Sequence, residues 1–183
     1  MQMKRAEVAH VVRAAQAITN EREFVLVGSQ AAHLQLEQMP DIMQMSGELD
    51  IYPLRKPELA ELIDGALGEG SPFHETFGYY AHGIGPETAR LPTGWERRAV
   101  RVSAPSMDKA IAIAPEIHDI CASKAIAGRE KDHAYVMAAI STKIIDPTTL
   151  VERIEMTDRA DPDLRNAAKA WVASLSSRSD HHR

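Results

Sequence analysis

Cysteine and long apolar runs are scarce in this sequence, and each scarcity excludes a class of protein. Cys121 is the one cysteine among 183 residues, so no disulfide can form within the chain. This cysteine usage is typical of a reducing compartment, and we expect a cytoplasmic protein. No apolar run approaches the roughly 18 residues that a membrane helix needs. The N-terminal segment also lacks the continuous apolar stretch of a signal peptide.

Basic and aromatic residues are also few. The chain has 21 Lys and Arg against 26 Asp and Glu, which argues against broad binding to a nucleic-acid backbone. A local basic pocket for a nucleotide, or for the end of an RNA, stays compatible with this balance. Aromatic residues make up 5% of the chain, too few for a stacking platform of the single-strand-binding kind. The eight histidines form no HExxH motif and no zinc spacing.

Hydrophobic periodicity predicts an α/β (α+β) fold, with a mixed sheet flanked by helices. We predict a core over residues 1–114, a C-terminal helical region over 115–176 and a flexible tail over 177–183. Helices are predicted over 4–19, 57–67, 116–127, 130–140, 147–155 and 162–175, and strands over 24–27, 48–52, 77–80, 99–105 and 109–114. No helix is expected between residues 73 and 105.

The turn Gly28-Ser29 follows the short apolar run FVLV, which is typical of a buried strand. Ser29 is predicted to N-cap a following helix that extends to Leu36. Backbone N–H groups at such a turn, together with the helix dipole, suit a triphosphate. Taken alone, a Gly-Ser turn is usually no more than a turn and a cap.

The strand Glu48-Leu49-Asp50 alternates polar and apolar residues, so its two acids share one face, roughly 6 to 7 Å apart. Two carboxylates at this spacing can hold one Mg²⁺ or straddle two. We expect both to face the Gly28-Ser29 turn. The alternative interpretation is a solvated strand face with no metal.

Four segments of the sequence resemble a known family. VLVGSQAAHLQLE and SGELDIYP resemble the Gly-Ser turn and acid-x-acid strand of the polymerase-β nucleotidyltransferase superfamily. EIHDICASKAIAGREKDHAYV is similar to a second signature found in a bacterial branch of minimal nucleotidyltransferases and abortive-infection toxin–antitoxin components. FGYYAHGIGPETARLPTGWERR also looks familial, so the resemblance extends from about residue 24 to about residue 140.

The resemblance implies a nucleotidyltransferase-like fold and a Mg²⁺- or Mn²⁺-dependent transfer of a nucleotide from an NTP to a tRNA, another RNA or a protein. It also implies a toxin–antitoxin role with a cognate partner, and no membrane association. Glu48 and Asp50 would hold the metal and act in catalysis, as would Lys124 and Asp132. The residues implied in binding the nucleotide are Gly28, Ser29, Lys124, Arg129 and Lys131.

Several alternatives stay open at this point. The chain is also compatible with a non-catalytic relative that binds a nucleotide or a partner, or with a purely structural protein. The alternative interpretation of the residues from Lys124 to Asp132 is a helix–loop–helix with surface charges. His33 is interpreted as a structural histidine, and His82 is a weak candidate for the site. A third carboxylate is not assigned, and its candidates are Glu75, Glu87, Asp108 and Asp132.

Overall fold

A computed structural model describes the backbone of residues 2–179 and the side chains through Leu175. The chain divides into two compact units. The sheet unit comprises Met1–Ala89 and Ala99–Pro115, and the helical unit comprises Arg90–Arg98 and Glu116–Arg183. From residue 180 onward, the predicted tail lies outside the described residues. Within the described residues, no helix is both long and apolar enough to cross a membrane.

The sheet unit contains a five-stranded mixed sheet, which confirms the predicted fold class. The strand order is β3-β2-β1-β5-β4. β1 pairs parallel with β5 and antiparallel with β2, while β2 pairs parallel with β3 and β4 antiparallel with β5. The strands are β1 (Glu23–Val27), β2 (Glu48–Pro53), β3 (Tyr80–Gly83), β4 (Val100–Val102) and β5 (Ile111–Ala114).

β1 occupies the middle of this sheet because its side chains are apolar on both faces. Phe24, Val25 and Leu26 are fully buried, as expected for a strand covered on both sides. β2 instead alternates, with Leu49 and Ile51 fully buried. The intervening acids are only partly buried. This difference in sequence pattern places a polar face next to the most apolar strand of the unit.

Four α-helices belong to the sheet unit: α1 (Arg5–Thr19), α2 (Asp41–Gln44), α3 (Ala60–Leu67) and α4 (Pro72–Phe77). α1 buries residues at helical spacing, including Val8 and Val12, and packs against α3. It ends at Asn20, which adopts the left-handed conformation with φ 55°. The predicted helix over 4–19 and its end at this asparagine are therefore confirmed.

The prediction that residues 73–105 lack a helix is wrong. α4 begins after Ser71, whose hydroxyl accepts a hydrogen bond from a backbone N–H of the first turn, and it ends at Gly78 with φ 78°. These two caps outweigh the β-propensity of the aromatic residues that predicted a strand from residue 77. The strand begins instead at Tyr80.

The helical unit contains five helices within the described residues: α5 (Trp95–Arg98), α6 (Ile117–Ala127), α7 (Glu130–Ser141), α8 (Pro147–Glu155) and α9 (Pro162–Ser179). α6 packs against α7, α8 and α9. The four C-terminal helices begin and end close to their predicted bounds. Arg98, at the end of α5, donates two hydrogen bonds of 2.9 and 3.1 Å to the buried carboxylate of Asp119. These bonds attach the segment 90–98 to α6.

Candidate metal centre

The polar face of β2 is extended by the neighbouring strand β3. In the parallel register, Glu48 lies beside Tyr80 and Asp50 lies beside His82. Residues at matching positions of paired strands project to the same face, so all four side chains share it. One ligand atom each from Glu48, Asp50 and His82 lies within 4.8 Å of the other two. Among the described residues, no other group of three or more His, Cys, Asp or Glu side chains meets this criterion.

Each carboxylate directs one oxygen toward the imidazole. His82 Nδ1 lies 3.1 Å from Asp50 Oδ1 and 3.5 Å from Glu48 Oε1. The second oxygen of Glu48 accepts a hydrogen bond of 2.8 Å from the Tyr80 hydroxyl. Tyr80 therefore holds the Glu48 carboxylate with its other oxygen directed at His82.

Gly28 leaves room for the Asp50 carboxylate. Val27, the last residue of β1, pairs with Asp50 across the antiparallel ladder, and Gly28 follows directly. A Cβ atom on Gly28 would lie 2.5 Å from Asp50 Oδ2, closer than such atoms approach. The φ of 71° and ψ of −160° at this glycine also define a conformation that is essentially restricted to glycine. The Gly28-Ser29 turn was predicted to face the acid pair, and it lies next to Asp50 of that pair.

The helix predicted to begin with a Ser29 N-cap has a different form. Residues Ser29–Leu34 form a six-residue 3-10 helix, and Gly28, not Ser29, occupies the N-cap position. Gln30, His33 and Leu34 are all buried, as are the two alanines between them. Five of the six residues are buried and Ser29 is half-buried, so the segment lacks the polar face of a surface α-helix. The predicted dipole of a full α-helix is therefore absent from this turn.

Within the described residues, the basic side chain beside the two acids is the imidazole of His82. Among the ion pairs of the described residues, none joins Glu48 or Asp50 to a lysine or an arginine. Burial and the neighbouring charge of Glu48 raise the pKa of Asp50 to about 6. Burial, with the hydrogen bond to Glu48, raises the pKa of the Tyr80 phenol to about 12. Negative charge therefore accumulates here without internal neutralisation.

A divalent cation fits this arrangement. Carboxylate oxygens are the preferred protein ligands of Mg²⁺ and Mn²⁺, and imidazole nitrogen adds a third donor. Gly28 supplies the space that the Asp50 carboxylate needs. A bound cation would also neutralise the mutual repulsion of Glu48 and Asp50. The residues that would hold it are Glu48, Asp50 and His82.

The second set of predicted site residues lies in the helical unit. Lys124 Nζ donates to Asp132 Oδ1 at 3.1 Å and lies 4.6 Å from the centre of the Tyr135 ring. Arg129 also donates to Asp132 through its Nε and Nη2 atoms. Asp132 is fully buried and Lys124 is 9% exposed. The helix–loop–helix alternative treated these two residues as surface charges. Their burial shows that they are not.

Lys131 does not share a helix with Lys124. Gly128 ends α6 in the left-handed conformation with φ 67°, and α7 begins at Glu130. Lys131 is exposed on α7. The structure thus joins Lys124, Asp132 and Arg129 in one ion-paired group and leaves Lys131 outside it. The catalytic and phosphate-binding roles predicted for these four residues stay predictions.

His82 is the residue that the sequence argument ranked too low. Its signal was the alternation of Tyr80 and His82 in YYAHG, which matches the alternation of Glu48 and Asp50. Among the described residues, His82 completes the cluster, and none of the four candidates for a third carboxylate belongs to it. His33 is 5% exposed, which agrees with its interpretation as a structural histidine.

Comparison with known proteins gives one family. The family model described as "Nucleotidyltransferase of unknown function (DUF6036)" matches residues 6–177. This range covers most of both units, including the acids of β2 and nearly all of the helical unit. The search of curated proteins and the search of solved structures returned no match.

Proposed function

The chain belongs to the DUF6036 family of nucleotidyltransferases of unknown function, and we propose that it transfers a nucleotide from an NTP to an RNA or protein hydroxyl in a metal-dependent reaction. The observation that carries this proposal is the pair Glu48 and Asp50 on one face of β2, beside the turn at Gly28. The same pair lacks a lysine or arginine partner within the described residues. A partly buried acid pair without a lysine or arginine partner among these residues suits a divalent ion.

The chemistry follows from what the residues would hold. The acceptor hydroxyl forms a new bond to the α-phosphorus, the bond from that phosphorus to the leaving oxygen breaks, pyrophosphate departs, and the hydroxyl proton passes to water. A divalent cation supplies charge neutralisation for the triphosphate and for the attacking and leaving oxygens. Glu48 and Asp50 would fix that cation at the end of β1. Tyr80 would keep the Glu48 carboxylate oriented through the 2.8 Å hydrogen bond.

Phosphate recognition is the less constrained part of the proposal. Gly28 and Ser29 form the turn next to Asp50, which supports the proposal that their backbone N–H groups contact a metal-bound triphosphate. Lys124, Arg129 and Lys131 are proposed to contact phosphate on the strength of the family resemblance. Lys124 would have to exchange its bond to Asp132 for a phosphate oxygen.

The acceptor and the biological role are proposed from charge and resemblance. The net charge of −5 disfavours an acceptor recognised along an extended RNA backbone. The end of a tRNA or other RNA, or a hydroxyl on a protein, suits this charge better. Similarity to toxin–antitoxin components supports a role in such a pair, with a cognate protein as partner.

A specific observation favours a second candidate function. Lys124, the predicted phosphate ligand, is already bonded to Asp132 and packed on Tyr135. A non-catalytic member that binds a nucleotide or a partner would need no free lysine there. The second candidate is therefore a binding protein that retains the metal centre.

The test uses NTPs labelled at the α-phosphate, Mg²⁺ or Mn²⁺, and total RNA or a protein extract as acceptor. We expect the wild type to incorporate label and Asp50→Asn to lose about 10² to 10³ in rate, with its fold intact. Glu61→Gln is the matched control, because Glu61 is an exposed acid on α3. Metal-dependent NTP binding without incorporation would favour the binding protein. Equal incorporation by Asp50→Asn and wild type would remove Asp50 from the chemistry.

A further inference from the structure

His82 stands where the two acids of β2 converge. Its Nδ1 atom lies 3.1 Å from Asp50 Oδ1 and 3.5 Å from Glu48 Oε1. Ligands in neighbouring positions around an octahedral divalent ion, each about 2.1 Å from the metal, are about 3 Å apart. The two separations from His82 Nδ1 are close to this value, and one ligand atom of each residue lies within 4.8 Å of the other two.

The other oxygens of the two acids are directed elsewhere. Glu48 Oε2 accepts from the Tyr80 hydroxyl at 2.8 Å. Asp50 Oδ2 lies against Gly28, where a Cβ would be only 2.5 Å away. Each carboxylate thus presents one oxygen to the imidazole nitrogen, and the surroundings hold the second. This convergence involves three residues on two strands and a glycine on a third segment, which distinguishes it from a simple cluster of acids.

We propose that His82 is a direct metal ligand, and that the resulting oxygen, oxygen, nitrogen donor set favours divalent first-row transition metals, Mn²⁺ and Co²⁺ among them, over Mg²⁺. The reason is chemical. Mg²⁺ is bound in proteins through oxygen, whereas imidazole nitrogen favours first-row transition metals. This inference rests on the metal centre of the proposed function, and it names the metal class that the centre takes.

Metal binding is measured without turnover. Mn²⁺ affinity is determined by electron paramagnetic resonance of the free ion, and Mg²⁺ and Co²⁺ are added as competitors. The wild type is expected to bind one Mn²⁺ at the site, with Mg²⁺ competing at about tenfold or higher concentration. Electron spin echo measurements should detect coupling of the bound Mn²⁺ to an imidazole nitrogen.

Three variants of His82 separate ligation from a structural role. His82→Gln should weaken Mn²⁺ binding about 10- to 100-fold and abolish the nitrogen coupling, with less than about threefold change for Mg²⁺. His82→Ala should behave similarly. His82→Asp replaces nitrogen with oxygen, so it should reverse the preference toward Mg²⁺. A merely structural histidine would not reverse metal selectivity on conversion to a carboxylate. The imidazole is about half exposed, so melting curves of all three are expected to match the wild type.

Two controls address other histidines. His133→Gln alters a histidine that stacks on Trp171 in the helical unit, and it should leave Mn²⁺ affinity and the nitrogen coupling unchanged. The double variant His181→Gln/His182→Gln removes the adjacent histidine pair in the last three residues of the sequence. It should also leave the site affinity unchanged, with any loss confined to weak additional binding.

The outcomes distinguish this inference from the proposed function. Nitrogen coupling that His82→Gln abolishes, together with no nucleotide incorporation, would support the ligand assignment and count against the transferase. Incorporation by the wild type with no nitrogen coupling would overturn the ligand assignment and leave the transferase standing. If the ratio of Mn²⁺ to Mg²⁺ affinity is the same in the wild type and in His82→Asp, the ligand assignment of His82 is also overturned.

Discussion

The two groups of charged residues in this protein differ in how their charge is compensated. In the helical unit, the buried carboxylate of Asp132 receives hydrogen bonds from Lys124 and Arg129. In the sheet unit, His82 and the Tyr80 hydroxyl contact the carboxylates of Glu48 and Asp50, and no lysine or arginine of the described residues forms an ion pair with them. The first group is internally neutral or positive, and the second carries excess negative charge.

The pKa values of the two aspartates express the same contrast. Burial raises the pKa of Asp132, but Arg129 and Lys124 more than offset this, so the net pKa is below the ordinary value. Burial and Glu48 together raise the pKa of Asp50 to about 6. A carboxylate with its cations in place stabilises the fold, whereas one without them costs stability until a cation binds. Asp132 is thus built like a structural residue, and Asp50 like a ligand.

The largest expected effect comes from breaking the compensated group. Asp132→Ala leaves the buried ammonium of Lys124 without its carboxylate, so we expect a loss of about 3 to 5 kcal/mol in the free energy of unfolding. Urea denaturation followed by circular dichroism measures it. Asp163→Ala, at an exposed acid in the first turn of α9, is the control and should change stability by less than about 1 kcal/mol. Equal effects of the two substitutions would show that the buried pair does not stabilise the fold.

The second prediction addresses Gly28, which leaves room for the Asp50 carboxylate. Gly28→Ala places a Cβ 2.5 Å from Asp50 Oδ2 and forces alanine into a glycine-only conformation. We expect a stability loss of about 2 to 4 kcal/mol and at least about tenfold weaker Mn²⁺ binding. Gly70→Ala is the control, because Gly70 also has positive φ, at 76°, but nothing lies within 4 Å of its Cβ position. It should lose about 1 kcal/mol and keep its metal affinity. Unchanged Mn²⁺ affinity in Gly28→Ala would contradict this account.

These residues also show which features the sequence could predict. β1 and β2 were predictable because a continuous apolar run and a strict alternation are local patterns. The C-terminal helices were predictable because Pro115, Pro147 and Pro162 mark their limits in the sequence. Asp50 was recognisable as half of an acid-x-acid strand.

The remaining features depend on contacts that no local pattern contains. His82 meets Asp50 only because β2 and β3 pair in parallel at one register, and the two residues are 32 positions apart. The burial of Gln30, His33 and Leu34 in the 3-10 helix likewise comes from packing of the whole unit. The ion pair between Lys124 and Asp132 forms only because the chain turns back at Gly128 between α6 and α7. From the sequence alone, a lysine that binds phosphate could not be distinguished from a lysine in a buried ion pair.

The third prediction tests the sign of the charge contrast. In the metal-free protein, with EDTA present, Asp50→Asn should raise the free energy of unfolding at pH 7 to 8 by about 1 to 2 kcal/mol. The raised pKa means that the folded state binds the Asp50 proton more tightly than the unfolded state does. The protonated Asp50 side chain therefore contributes its full stabilisation to the wild type below the unfolded pKa of about 3.8. This stabilisation is lost as the pH rises through the folded pKa of about 6. The gain of the variant should vanish at pH 4.

The matched comparison for this prediction is Asp132→Asn. Because the pKa of Asp132 is lowered, its carboxylate stabilises the folded state above the unfolded pKa, and that stability is lost as pH falls through the folded pKa. This variant should therefore be less stable than the wild type at pH 7, opposite in sign to Asp50→Asn. Urea titrations at pH 4, 5, 6, 7 and 8 measure both. Two losses of stability at pH 7 would remove the contrast between the two groups.

The smallest expected effect concerns the Tyr80 hydroxyl, which donates a hydrogen bond to the acid pair. Tyr80→Phe removes the hydroxyl that holds Glu48 Oε2 at 2.8 Å, so the carboxylate gains rotational freedom and must be ordered by the metal itself. We expect Mn²⁺ affinity to fall about threefold to tenfold, which is at or below the lower end of the effect of an outer-shell partner. Because the pKa of Tyr80 is about 12, its phenol stays protonated from pH 6 to 10. The ratio of the Mn²⁺ affinities of the wild type and Tyr80→Phe should therefore be constant over that range. Tyr79→Phe is the control, since the Tyr79 hydroxyl bonds to His10 at 2.7 Å. It loses a comparable hydrogen bond without touching Glu48, so an equal fall in Mn²⁺ affinity in both variants would mean that Tyr80 acts through general stability and not through the orientation of Glu48.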